Sequence, residues 1–200
     1  MPSIHGQLLE VAADLSPELA SVIEGNGSLR LIRSASESLP VRLCRAVTGQ
    51  QLSVKAAHAI WNRVQHAAGD NDLMTHIARS TPEALRACGL SMAKAKTLQA
   101  IAEAEHAGNL DEANLHTLEA SERAQALTQI WGVGQWTADM VGIFYFGDPD
   151  IWPDGDVTAR KMLSRLTSPR RKTVLTAARF APFRSYLALH MWRHAAAKPD

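Results

Sequence analysis

Two stretches of this 200-residue chain hold the residues best suited to chemistry. The first is the turn Ile130-Trp131-Gly132-Val133-Gly134-Gln135. Two glycines around one apolar residue leave backbone amides uncovered, and a helix begins at once, so amides and helix dipole favour the same anion. Val133 can plug into a core and hold such a turn rigid. By Gly-x-Gly alone, however, the plainer account is a glycine turn joining two antiparallel helices. The second stretch is the loop Phe146 to Asp156, FGDPDIWPDGD, with four acidic residues, two prolines and a tryptophan. Long irregular stretches in compact domains often carry function. Asp156 closes this loop at a helix start, where an aspartate ordinarily caps the helix, and spacing alone favours that role.

The elements that must position these residues read as all-α. Apolar residues recur at three- and four-residue steps, and no β-branched run alternates like a strand. The pattern predicts helices over 7–13, 16–24, 39–48, 53–68, 72–78, 82–87, 92–107, 120–129, 135–146, 156–165, 171–179 and 183–197. Ser16-Pro17 and Thr81-Pro82 each place a capping residue before a proline at the first helical position, with Ser80 an alternative cap. Gly69, Gly89 and Gly108 end or interrupt helices. No internal repeat and no low-complexity linker divides the chain, and Glu24 to Ser28 reads as one polar turn.

Composition narrows the class of protein. Hydrophobic residues make up 46 % of the chain, enough for a core without disulfides or metal staples. A formal charge of only +1 means that any nucleic-acid contact rests on local geometry rather than a chain-wide field. Cys44 and Cys88 stand far apart, form no metal or cluster motif, and read as free core thiols in a reducing cytosol. The start, MPSIHGQLLEVAADL, lacks the pattern of a targeting segment, and no stretch approaches a membrane span. The expectation is a soluble intracellular protein, cytoplasmic or located with the DNA.

The segment WGVGQWTADMVGIFYFGDPDIWPDGDVTARKML resembles the helix-hairpin-helix, Gly/Pro-rich loop and aspartate of the helix-hairpin-helix DNA glycosylase superfamily. Trp136-Thr137-Ala138 points to its 3-methyladenine DNA glycosylase II branch. Ala46 through Ser53 is similar to that branch's loop before a core helix, Leu90-Ser91 through Lys96 to its middle helix, and Pro182 through Trp192 to its last. The resemblance runs from about residue 38 to 195 with the motifs in order. It implies two helical lobes with a DNA-binding cleft between them: about 1–38 plus 157–200, and 39–156 with the hairpin 120–146.

The resemblance assigns roles. Asp156 is the catalytic carboxylate: breaking a base–sugar bond develops positive charge on deoxyribose, which a carboxylate stabilises. An alkylated cationic base leaves readily, so one carboxylate suffices where O-glycoside hydrolysis usually needs two. Asp154 is the fallback. Trp136 and Trp192 line the base pocket, where indole stacks on an extruded base and attracts a cationic one; the competing reading puts both in the core. Trp152 is a weaker candidate, and Trp61 reads as core. Position 136 holds lysine in members that also nick the strand; tryptophan here predicts a monofunctional hydrolase. Gln51, with Leu52, matches the wedge that fills the duplex gap; the competing reading is a buried glutamine capping the helix from Ser53. Gly132, Val133, Gly134, Gln135 and Thr137 form the phosphate-binding hairpin.

Further implications are a partner of double-stranded DNA bearing alkylated bases, action as a monomer, and no required cofactor. A structural monovalent cation on the backbone carbonyls of Thr128, Ile130 and Val133 is also implied. The chain departs from the pattern in two ways. Too few residues precede the core for the β-containing N-terminal domain of the best-known bacterial members. Met140 and Val157 replace pocket aromatics, which predicts a different substrate range. Arg170-Arg171-Lys172 reads as a solvated helix start, with a phosphate contact secondary. The alternatives are a non-catalytic DNA-binding module and a glycosylase for a deaminated or oxidised base.

Overall fold

The computed structural model describes residues 2–33 and 36–197, and no strand occurs among them. Thirteen α-helices and one π-helical turn follow one another in the described chain. They fall into two compact units: Met1–Arg33 with Phe146–Asp200, and Ser34–Tyr145. The loop before Asp156 therefore belongs to the unit formed by the chain ends. The expected division put residues 39–156 together; the difference arises because the loop is anchored on the last helix, as described below.

The first unit contains α1 (Ile4–Leu15), α2 (Pro17–Asn26), α11 (Val157–Leu166), α12 (Thr173–Ala178) and α13 (Arg184–Ala197). Ser16 caps α2 by accepting the Leu19 amide at 3.3 Å, with Pro17 at the first helical position, as its sequence predicts. Leu8, Leu19, Ile23, Leu163, Leu187 and Met191 are the centre of its core, and α13 packs on both α2 and α11.

The second unit contains α3 (Leu39–Gly49), α4 (Val54–Ala68), α5 (Leu73–Arg79), α6 (Pro82–Ala87), α7 (Met92–His106), α8 (Glu112–Thr117), α9 (Ala120–Thr128), α10 (Gln135–Val141) and the π turn Gly142–Phe146. The helix α7 is central: Ala95, Leu98, Ile101 and Ala102 are fully buried, and α3, α5 and α6 pack around it. In α3, Leu39, Leu43, Cys44 and Val47 recur at helical spacing and turn inward. Thr81 caps α6 as predicted; Ser80 instead ends α5. Cys44 and Cys88 are free and buried.

Helix α8 falls where the sequence pattern predicts none. It has six residues, capped by Asp111, and buries only Leu115, too few apolar positions to show a period. The predicted helix over 135–146 is α-helical only to Val141 and finishes as the π turn. No helix among the described residues is long and apolar enough to cross a membrane.

Candidate active site

In the first unit the site is built around the loop 147–156 and the helix after it. Asp156 is the N-cap of α11: its Oδ1 accepts the Ala159 amide at 2.8 Å. The same oxygen accepts the indole Nε1–H of Trp192, on α13, at 3.0 Å. Capping and a chemical role therefore coexist, since both donors bind the charged form of the carboxylate. Asp156 and Trp192 are half-buried. Sequence reasoning named both residues but not this bond, which joins positions 36 apart.

What fixes the loop is the start of α13. Arg184 grips Asp150 with two parallel bonds, Nε to Oδ1 at 2.7 Å and Nη2 to Oδ2 at 2.9 Å. That pairing raises the guanidinium pKa of Arg184 against the opposing effect of burial. Ser185, fully buried, donates its hydroxyl to the Asp148 carbonyl at 2.7 Å and accepts the Ile151 amide at 2.9 Å, while its own amide donates to Pro149 at 3.0 Å. At the head of the loop, Gly147 has φ +79°, and a Cβ there would lie 2.7 Å from Arg33 Cδ, so the close approach requires glycine. One helix thus pins the loop with its first turn and meets Asp156 two turns later.

The remaining candidates in this unit separate. Trp152 packs in the hydrophobic core, so it is not a pocket residue. Asp154 is exposed and accepts the Thr173 hydroxyl at 3.1 Å. Val157 is 74 % exposed beside Asp156. Arg171 and Lys172 are exposed at the start of α12, as predicted, and with Arg160 and Lys161 line a groove of about 510 Å³.

In the second unit the hairpin forms as read. The chain leaves α9, turns with Val133 N–H donating to the Ile130 carbonyl at 3.0 Å, and enters α10 at Gly134. Ile130 and Val133 are buried and anchor the turn; Trp131, Gly134 and Gln135 are exposed. Gly132 has φ +82°, and a Cβ there would lie 2.9 Å from Thr97 Cβ on α7, so only glycine lets the turn sit on that helix. No side chain caps α10, and a Cβ on Gly134 would meet nothing within 4 Å. Thr137 departs from the expectation. It is buried, its amide donates to the Gly134 carbonyl, and its Oγ1 accepts Gln50 Nε2 at 2.9 Å. Its polar atoms serve the fold instead of a phosphate, tying the hairpin to the loop after α3.

That loop carries Gln51 and Leu52. Gln51 has φ +55°, which no other non-glycine among the described residues shares, and both side chains are exposed. The buried, capping alternative for Gln51 is excluded, because Ser53 itself caps α4 through the Ala56 amide. A side chain held outward on strained backbone is what a wedge needs. Lys94, on α7, braces the loop by donating from Nζ to the carbonyls of Thr48 at 2.9 Å and Gln50 at 2.8 Å. Partial burial lowers its ammonium pKa.

Trp136, half-buried on α10, lines a pocket of about 320 Å³ with Trp61, Met140, Phe144, Leu52 and Arg42. Trp61 is core, as read, but reaches this wall too. Phe144 and Arg42 were not foreseen; neither carries a signal beyond residue type.

The family model described as HhH-GPD superfamily base excision DNA repair protein matches residues 44–181. The chain belongs to that superfamily. Within it, DNA-3-methyladenine glycosylase 1 of Schizosaccharomyces pombe is 36 % identical over 176 residues, covering 84 % of this chain and 77 % of the relative. The structure of the S. pombe 3-methyladenine DNA glycosylase in complex with abasic DNA superposes with a TM-score of 0.77 at 31 % identity, covering 94 % of this chain and 97 % of that one. The DNA-3-methyladenine glycosidase of Bacillus halodurans gives 0.77 at 29 % identity, covering 94 % and 88 %. These matches place the chain in the 3-methyladenine glycosylase branch of the HhH-GPD superfamily. The superfamily match holds the hairpin, the loop and Asp156; Trp192 lies beyond it and is joined to the site by its bond to Asp156.

Proposed function

We propose that this chain is a monofunctional DNA glycosylase that excises alkylated bases from double-stranded DNA in base excision repair and leaves an intact abasic site. The observation that carries the reading is the Asp156 carboxylate, fixed by Ala159 and Trp192 at the end of a pinned loop. Its charge opposes the positive charge that develops on deoxyribose as the base departs. Water then adds to the sugar carbon. Trp136 supplies the stacking wall for the extruded base, Gln51 and Leu52 the wedge, and Gly132 to Gln135 the phosphate contact. The basic groove at Arg160 and Lys172 adds phosphate contacts that a net charge of +1 does not suggest. With tryptophan at 136, no amine stands there to attack the sugar. The protein acts as a monomer wherever DNA is housed.

A monovalent cation on the carbonyls of Thr128, Ile130 and Val133 belongs to the same reading. Thr128 ends α9, so its carbonyl is among those a helix end leaves without an intrahelical partner. The Ile130 carbonyl accepts Val133 and keeps a second lone pair. The residues fit such an ion, which would add positive charge beside the phosphate contact.

A panel of duplexes carrying 3-methyladenine, 7-methylguanine, hypoxanthine or 8-oxoguanine, scored for released base, tests the reading. Release of alkylated bases with no borohydride-trapped protein–DNA adduct is the expected result. Release of none, with DNA still bound, would leave a binding module; a trapped adduct would make the enzyme bifunctional.

A further inference from the structure

The Trp136 pocket has a charged wall. Arg42, on α3, lines it beside Trp61, Trp136, Met140 and Phe144. Its Nε is buried and has no hydrogen-bond partner among the described residues. The neighbouring cation, Arg45, is exposed and paired with Glu37, Nη1 to Oε1 at 2.7 Å. Glu37 is thus engaged by the outer arginine, and the inner one keeps an unspent donor. Burial, and then the charge of Arg45, lower the Arg42 pKa, with Glu37 opposing; a guanidinium stays protonated regardless. A half-buried donor without a partner is costly in a pocket that stays empty.

We propose that Arg42 is a specificity-determining residue that turns this pocket toward electrically neutral purines with a hydrogen-bond acceptor on their edge, and away from cationic N-alkylpurines. The proposal rests on the glycosylase reading and on this pocket receiving the extruded base. Its logic is the charge change on bond breaking. When a neutral purine leaves, the C1′–N9 electron pair goes to the base, which gains negative charge until it takes the proton that the attacking water releases. A guanidinium donating to the base edge stabilises that change. When a cationic purine leaves, the same pair neutralises the ring, and the water's proton goes to solvent. Arg42 then gives the departing base no help and repels it on entry. Trp136 attracts a cation through its ring face, but a full charge at short range in a low-dielectric wall outweighs an indole quadrupole. Met140, in place of an aromatic, lessens that attraction further.

The test compares the parent protein, Arg42→Met and Arg42→Lys on duplexes carrying hypoxanthine or 7-methylguanine, with folding checked by circular dichroism. For Arg42→Met the expected loss in kcat/KM on hypoxanthine is roughly tenfold to hundredfold, the range for one charged hydrogen bond. On 7-methylguanine KM should fall with kcat unchanged. Arg42→Lys, which keeps the charge but not the fork, should retain most of the parent's preference for the neutral base. Equal change on both substrates, or none, with Arg42→Met folded would overturn the proposal while leaving the glycosylase reading intact. If Arg42→Met does not fold, loss of the preference in Arg42→Lys overturns it and retention supports it. A parent that releases neither base would remove the glycosylase reading, and this proposal with it.

Discussion

At the scale of single residues, Asp156 combines a structural and a chemical role in one oxygen. Asparagine keeps that oxygen, so Asp156→Asn can still accept from the Ala159 amide and the Trp192 indole. What it loses is the negative charge. The expected outcome is an intact fold, normal binding to abasic-site DNA, and base release slowed by about two to three orders of magnitude. The loss should be larger for hypoxanthine than for cationic 3-methyladenine, which needs less help to leave. Single-turnover release of both bases checks this; near-parental rates on each would move the carboxylate role to Asp154. Arginine and serine at 184 and 185 show why a residue's type alone misleads. Either could be read as a surface residue at a helix start, yet together they hold the loop that delivers Asp156.

Elements present these residues, and the hairpin can be tested apart from the chemistry. Gly134 is the N-cap of α10 with open space where a Cβ would stand. Aspartate is a favoured N-cap, so Gly134→Asp should fold as well as the parent or better by about 1 kcal/mol. Its charge would meet the phosphate instead, and affinity for abasic-site DNA should fall at low salt, with a shallower salt dependence. Unchanged affinity of the folded variant would remove the hairpin from the DNA contact. The wedge loop offers a second test, because Lys94 holds two of its carbonyls. Lys94→Met should reproduce Gln51→Ala, each lowering release from a paired duplex more than from a mismatched site, where extrusion costs less. Equal losses at both sites would mean that Lys94 serves only the fold. Ser16-Pro17 and Thr81-Pro82 made α2 and α6 legible in the sequence, since capping chemistry is local. The glycine turn and the aspartate's place after its loop were legible for the same reason. Lys94 to Gln50, Trp192 to Asp156 and Arg42 in its pocket join residues that only tertiary packing brings together, and helix α8 has too little apolar surface to show a period. Thr137 was misread because its neighbours are exposed hairpin residues, while the helix turns it inward.

Across the whole molecule, the unit that carries Asp156 is assembled from both ends of the chain, and its core closes where α13 meets α2. His190 is buried there, with Asn26 Nδ2 within 3.2 Å of its Nδ1 and donating at 3.2 Å to its carbonyl. Asn26 on one side and the ring of His5, 6.0 Å away, on the other leave a neutral imidazole in place. Burial first, and then the charges of His5 and Arg193, hold its pKa down to about 4, from an ordinary value of 6.5. The unfolded chain therefore takes up the proton first. Stability from this group is complete above pH 6.5 and is lost as pH falls from there towards about 4. A shift of that size corresponds to about 3 kcal/mol, a large share of the stability of a small domain. The midpoint of urea unfolding should hold steady from pH 8 to 7 and drop between pH 6.5 and 4.5. In His190→Gln, which cannot titrate, the drop over that window should be much smaller, although the variant starts lower at pH 8 through altered packing. Parallel curves for parent and variant across the window would assign the acid sensitivity to other groups and leave His190 a packing residue alone.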